Sequence, residues 1–342
     1  MPPAEILTKY YLLSDHPFEP ERDTKRHFDF KAQNLSLMKE LRMFEHSQLK
    51  DYFVNVGSFN ASCAEVENFL HNVGYNGSPA PPAILIQGAK GSGMDSMAQY
   101  VALAVRARAA GATSYLIPIP SASQSRLLVL VKAELKGFMP NEEKIFTKYD
   151  GLIDPQKPDL AYLRAMFLEL AARNIPNQPL ILLLKSVSWD CRDWLLSLYQ
   201  LLSPLNVFLV FFTEDTRVAS WFDDLVAKSL LLGRSVRLRG LDAGEGRSFV
   251  EMRLSSFRSV SVVPESFPFN PQALPLIFRD VPEQRVGVKF FIQILRNSLN
   301  AKIAALEGSY VDPPPPRSAI QIEWMDISDA YEAILRKKAP TP

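Results

Sequence analysis

Gly88, Lys90, Gly91, Ser92 and Gly93 fall together in ILIQGAKGSGMDSMAQYVALAV, residues 84–105. An apolar run, a glycine-rich turn and helix-spaced apolar residues outline a strand, a phosphate-binding loop and a helix. In the motif G-x-x-x-x-G-K-[ST], such a loop wraps a phosphate with backbone N–H groups. Gly88 and Gly93 stand five apart, as the outer glycines of that motif do, with Gly91 between them. The next two positions depart from it, because Met94 replaces the lysine and Asp95 the serine or threonine. The lysine would put a cation on the β/γ-phosphates and the hydroxyl would hold magnesium; a thioether carries no charge and a carboxylate repels phosphate. The sequence therefore predicts the form of the loop without its chemistry. No cofactor is expected, and any ligand the loop retains is ATP or ADP. The alternative is an empty structural turn, since Lys90 can swing toward phosphate without replacing the missing lysine.

No other cluster competes with the loop. His16, His27, His46 and His71 have no metal-ligand spacing and read as surface or turn residues, and no metal site is expected. Cys63 and Cys191 form neither a CxxC pair nor a Cys/His cluster, so a disulfide framework has no support. Arg234, Arg237 and Arg239 are expected to alternate along one strand and share a face, as a weak interface or anion-binding surface or a solvated edge. Trp189, Trp194 and Trp221 flank apolar runs and read as packing. The net charge of +1 over 342 residues excludes a global field for nucleic acid or membrane. The most apolar stretches, PLILLL and NVFLVFF, are too short to span a bilayer, and no leader precedes them, so the expectation is a cytoplasmic chain without membrane insertion.

The elements that must position the loop follow from periodicity. Residues 1–35 form an N-terminal arm in which His-Pro-Phe is a turn that plants Phe18 in a groove. LSLMKELRMFEHSQLKDYF and CAEVENFLHNV are helix-spaced, and NGSPAPPA breaks the pattern before the loop strand. TSYLIPIP, PLILLL and NVFLVFFT are further strands, DWLLSLYQLLSPL is a helix closed by Pro204, and SWFDDLVAKSLLLGRSVRLRGL gives a helix and a last strand. Strands alternating with helices predict an α/β fold with a parallel sheet covered on both faces, over 36–240. Residues 241–311 read as three helices. DPPPPR at 312–317 is a stiff linker, and the tail to 342 a short strand and a helix.

A P-loop α/β domain followed by a small helical lid resembles the AAA+ superfamily, and more narrowly the ExeA-type secretion ATPases and the transposition-helper ATPases. LLSDHPF is similar to the Pro-Phe turn of that group; Leu241, Glu245, Phe249, Arg253 and Leu254 resemble its lid pattern. PEQRVGVKFFIQILRNSL resembles its G-x-P-R sensor 2 segment, with Arg285 at the arginine and Glu283 where glycine is expected. The resemblance places Thr213 at the sensor 1 position and Arg234 near an arginine that faces a neighbour's nucleotide. It also implies an Asp-Glu pair after the third strand, where this chain has Lys185 and Ser186. Without that pair there is no metal carboxylate and no base to polarise water. Lys185 and Asp95 could instead pair with each other and fill the place of metal and phosphate.

The expected protein is a pseudo-ATPase with no catalytic residue, acting as a scaffold or regulatory subunit. Its partner would be a second copy of itself in an oligomer or an active AAA+ ATPase. The alternatives are a divergent ATPase using Lys90 and Thr213 for slow turnover, and a DNA-associated adaptor, which the near-zero net charge disfavours.

Overall fold

The structure is a computed structural model. It describes residues 2–14, 16–18, 56–73, 82–89, 91–108, 115–119, 143–149, 160–172, 180–184, 187–202, 207–258, 264–279, 281, 283, 285–307 and 315–338. Lys90, Lys185, Ser186, His27, His46 and the helix expected within 36–54 lie outside the described residues. The described chain divides into two compact units, one from 61–238 and one combining 2–18 and 56–60 with 239–338. The described parts of the N-terminal arm and the tail thus belong to the same unit as the lid.

In chain order the elements are α1 (Pro3–Lys9), α2 (Gly57–Asn72), β1 (Ala83–Gly88), α3 (Met94–Arg108), β2 (Tyr115–Ile119), α4 (Glu143–Lys148) and α5 (Leu160–Ala172). They continue with β3 (Leu180–Leu184), α6 (Arg192–Leu202), β4 (Val207–Thr213), α7 (Thr216–Ala227), β5 (Gly233–Leu238), α8 (Ala243–Ser255), α9 (Val288–Glu307), α10 (Arg317–Ile320) and α11 (Trp324–Lys338).

The five strands form a parallel sheet in the order β2-β3-β4-β1-β5. β4, VFLVFFT, is buried along its whole length, as a central strand covered on both faces must be. The edges carry residues suited to edges. β2 contains Pro118, which has no N–H to give a ladder, and β5 carries Arg234 and Arg237, which discourage pairing with another chain. Leu85, Leu182, Leu184, Leu209 and Phe211 build the core with Trp194 and Leu198 of α6 and Phe222 of α7. Trp189 and Trp221 pack at its margin, so these two and Trp194 are packing residues.

The other unit is helical. α9 buries Phe291, Ile294, Leu295, Ser298 and Leu299, spaced three and four apart along one face. Phe249 of α8 and Phe278 of a 3₁₀ turn (Leu274–Phe278) meet Phe291 with ring centroids 6.0 and 5.4 Å apart. Gly246 makes this approach feasible, because a Cβ there would clash with the Phe278 ring. The N-terminal arm enters the same core. Phe18 is fully buried against Phe269 at 5.8 Å, Tyr11 donates to Ile320 O at 3.2 Å, and Arg253 Nε donates to Pro17 O at 2.7 Å. His16 is buried in this turn, not on the surface, with Nδ1 accepting from Phe18 N. The tail carries α10 and an isolated bridge from Ile322 to Phe269 in place of the expected strand.

Candidate phosphate-binding loop

β1 ends at Gly88 and α3 begins at Met94, so the loop lies at the carboxyl end of the sheet, where α/β folds form their ligand crevices. Gly91 and Gly93 have φ of 87° and 98°, a conformation that an L side chain resists. Ser92 N–H donates to Ala89 O at 3.0 Å inside the turn, and Met97 N–H to Gly93 O at 2.9 Å opens the helical ladder. The amides of Met94, Asp95 and Ser96 precede that first bond, the positions a helix leaves without an intrahelical partner, so the positive end of the α3 dipole faces the loop.

Ser92 is the unusual side chain. It is 3% exposed, and its Oγ has no hydrogen-bond partner among the described residues. The hydroxyl lies over the Cα of Gly88, close enough that a Cβ on that glycine would clash with it. Gly88 is thus required by close approach, whereas Gly91 and Gly93 are required by their dihedral angles. A buried hydroxyl without a partner costs roughly 1–3 kcal/mol, and a phosphate oxygen in the loop would relieve that cost.

The other expected contacts are engaged elsewhere. Thr213 pairs in register with Gln87 of β1, one residue from Gly88. Its hydroxyl donates to Val187 O at 2.8 Å and accepts from Asp215 N at 3.0 Å, and the residue is 1% exposed. It ties β4 to the segment after β3 and has no proton left for a ligand. Asp215 caps α7 by accepting from Arg217 N at 2.9 Å, and the Arg217 guanidinium holds its carboxyl below the usual range. Glu214 is exposed.

Arg285 belongs to the helical unit, and its protein contacts lie within that unit rather than in the sheet core. Its guanidinium donates to Gly240 O at 2.7 Å, to Glu245 Oε2 at 3.2 Å and to Asp242 Oδ2 at 3.2 Å. Asp242 and Glu245 form a reciprocal capping box on α8, and the second oxygen of Glu245 accepts from Ser58 N in the first turn of α2 at 2.8 Å. The Asp-x-x-Glu spacing signals that box in the sequence. The long-range bond to Ser58 has no such signal. Glu283, at the expected glycine, keeps a glycine-like backbone with φ of 57°.

The three arginines do not share a face. Arg234 and Arg237 are three apart on β5, so the two-residue period points them to opposite sides, and Arg239 lies beyond the strand's last residue, Leu238. Arg234 pairs with Glu65 of α2 at 3.0 Å and Arg237 with Asp223 of α7 at 3.3 Å. Each is an exposed edge residue with a carboxylate partner.

Nucleotide phosphate and magnesium, the two groups this fold implies, fit the loop differently. The left-handed glycines, the α3 amides and the orphaned Ser92 hydroxyl suit a phosphate. Magnesium finds no hydroxyl at position 95, and Lys185 follows the last residue of β3 where a second carboxylate would be needed. The Lys185–Asp95 pairing involves Lys185 and the Asp95 side chain, which lie outside the described residues.

No family model matches the sequence, and no curated protein matches it. Solved structures do. Aeropyrum pernix ORC2 in its ADPNP–ADP complexes is 15% identical, with 82% of this chain and 68% of that chain covered and a TM-score of 0.54. Aeropyrum pernix ORC1 in complex with DNA is 16% identical, with 84% and 68% covered and the same TM-score. At that identity the likeness speaks to architecture, and together with the strand order and the helical unit after the sheet it gives this chain the AAA+ fold.

Proposed function

We propose that this protein is an AAA+-type assembly module that does not turn over ATP, a scaffold or regulatory subunit that works by binding a second copy of itself or an active AAA+ ATPase. One contrast carries the reading: Gly91 and Gly93 keep the loop's left-handed backbone, while Met94 stands where the catalytic cation is required. Thr213 and Arg285 support it, since the Thr213 hydroxyl both donates and accepts within the protein and Arg285 is held by Gly240 O, Glu245 and Asp242. The narrower likeness to ExeA-type and transposition-helper ATPases fits a protein that acts beside other chains.

Phosphate release from magnesium-ATP by the full chain tests this directly, with sedimentation velocity over a range of concentrations reporting self-association. The expected outcome is release at the buffer background, with assembly that does not depend on hydrolysis. Turnover that disappears in Lys90→Ala would instead identify a slow, divergent ATPase.

A DNA-associated adaptor is the second reading, suggested by the fold shared with an ORC1 protein solved in complex with DNA. The ion pairs on Arg234 and Arg237 count against a basic strand as its DNA contact. Salt-dependent DNA binding lost on neutralising Arg237 and Arg239 would favour it.

A further inference from the structure

We infer that the His16-Pro17-Phe18 turn is a pH-sensitive clasp, which holds the N-terminal arm on the helical unit while His16 is neutral and releases it when His16 takes up a proton. The inference is independent of the assembly reading above and of any ligand at the loop. Its first observation is a hydrogen bond, in which Phe18 N–H donates to Nδ1 of His16 at 3.2 Å. A ring nitrogen accepts only while it carries no proton, so this bond requires the neutral imidazole with its hydrogen on Nε2. The second observation is burial. His16 is 7% exposed and Phe18 0%, and the two rings meet edge to face with centroids 6.3 Å apart.

A side-chain acceptor bonded to the N–H two residues on is the arrangement of an Asx turn, which asparagine makes at any pH. Pro17, between the two, presets the backbone dihedral for such a turn. Here the acceptor is instead the one side chain whose ordinary value, about 6.5, lies between pH 5 and 8. Protonation takes the acceptor from a buried N–H and places a cation where little water reaches it.

The surrounding charges do not offset that cation. Pro17 O accepts from Arg253 Nε at 2.7 Å, and Arg253 is 2% exposed, the one buried ion among the described residues. Arg258, bridged to Leu13, has its guanidinium on Glu265 O and Phe267 O. The carboxylates on the elements packed against the arm are engaged or exposed: Glu251 pairs with Arg247, Asp326 with Lys302, Glu323 accepts from Asn270, and Glu265 is exposed. Asp15 and Glu19, next to the turn in sequence, lie outside the described residues. The docked arm is thus at full strength above the ordinary histidine value and loses strength as pH falls through it. Release uncovers the seat of Phe18 beside Phe269 on the helical unit.

Hydrogen–deuterium exchange of the full chain at about pH 7.5 and about pH 5, corrected for the pH dependence of free-amide exchange, tests the inference. Protection of residues 10–18 should fall at the lower pH by up to about thirtyfold, the limit set by 1.5 units below about 6.5. Protection of β4 should hold. His16→Asn keeps an acceptor that does not titrate, so its arm should be equally protected at both pH values. Asp15→Asn and Glu19→Gln should respond as the natural chain does, and Phe18→Ala sets the scale of a released arm. Unchanged protection of the natural arm, or equal loss in β4, would overturn the clasp. So would a natural-type response in His16→Asn, an arm of that variant already unprotected at about pH 7.5, or loss of the response in either carboxylate variant.

Discussion

Thr213 and Cys63 show how burial sets the role of a single side chain. Thr213 sits at a position where the family resemblance suggests a nucleotide sensor, yet both functions of its hydroxyl are used inside the sheet unit. Thr213→Val should destabilise the protein by about 1–3 kcal/mol, because Val187 O and Asp215 N lose their partner in a buried place. Urea denaturation would measure this, and ADP affinity should not change. An affinity loss without a stability loss would restore the sensor role. Burial pushes the Cys63 thiol from an ordinary value of 9.0 up to about 12, with Glu67 adding to the effect. A folded value raised above the unfolded one contributes stability that is full below the unfolded value of 9.0 and lost as pH rises toward about 12. Iodoacetamide in mildly alkaline buffer should therefore modify half-buried Cys191 and spare Cys63 until the chain unfolds, as peptide mass spectrometry would show.

At the scale of elements, backbone conformation decides more than residue type. Glu283 holds φ of 57° before α9 in a region that costs a residue with a Cβ roughly 1–2 kcal/mol. Glycine there would lose about 0.5–1 kcal/mol more backbone entropy on folding, so Glu283→Gly should stabilise by about 0.5–1 kcal/mol overall. A thermal melt showing no gain would mean that this Glu side chain makes a compensating contact. The capping box on α8 is legible in the sequence, since Asp242 and Glu245 have its spacing. The use of Glu245 to hold Ser58, 187 residues away, is not. The arginines of β5 make the same point in reverse: the two-residue period of a strand is enough to separate Arg234 from Arg237, but the carboxylates that neutralise them come from α2 and α7.

For the whole molecule, the joining of the chain's two ends in one helical unit is the main result of tertiary packing. Phe18, Tyr11 and Arg253 bind the N-terminal turn to a core shared by α8, α9 and the tail. Phe18→Ala should cost about 3–5 kcal/mol in that unit, and limited proteolysis should reveal it as cleavage among α8, α9 and α11 before the sheet unit is cut. Simultaneous loss of both units would show that they unfold together. Among the described residues no helix is long and apolar enough to cross a membrane. The sequence by itself determined the strands, the loop glycines, the missing lysine and the Pro-Phe turn, because these depend on period, dihedral preference and side-chain charge within a few residues. Only the tertiary structure decided that Thr213 and Arg285 are occupied, that the Ser92 hydroxyl is left without a partner among the described residues and that the arm joins the lid. Those outcomes depend on which distant groups share a buried space, where every polar atom must find a partner or bear the cost of lacking one.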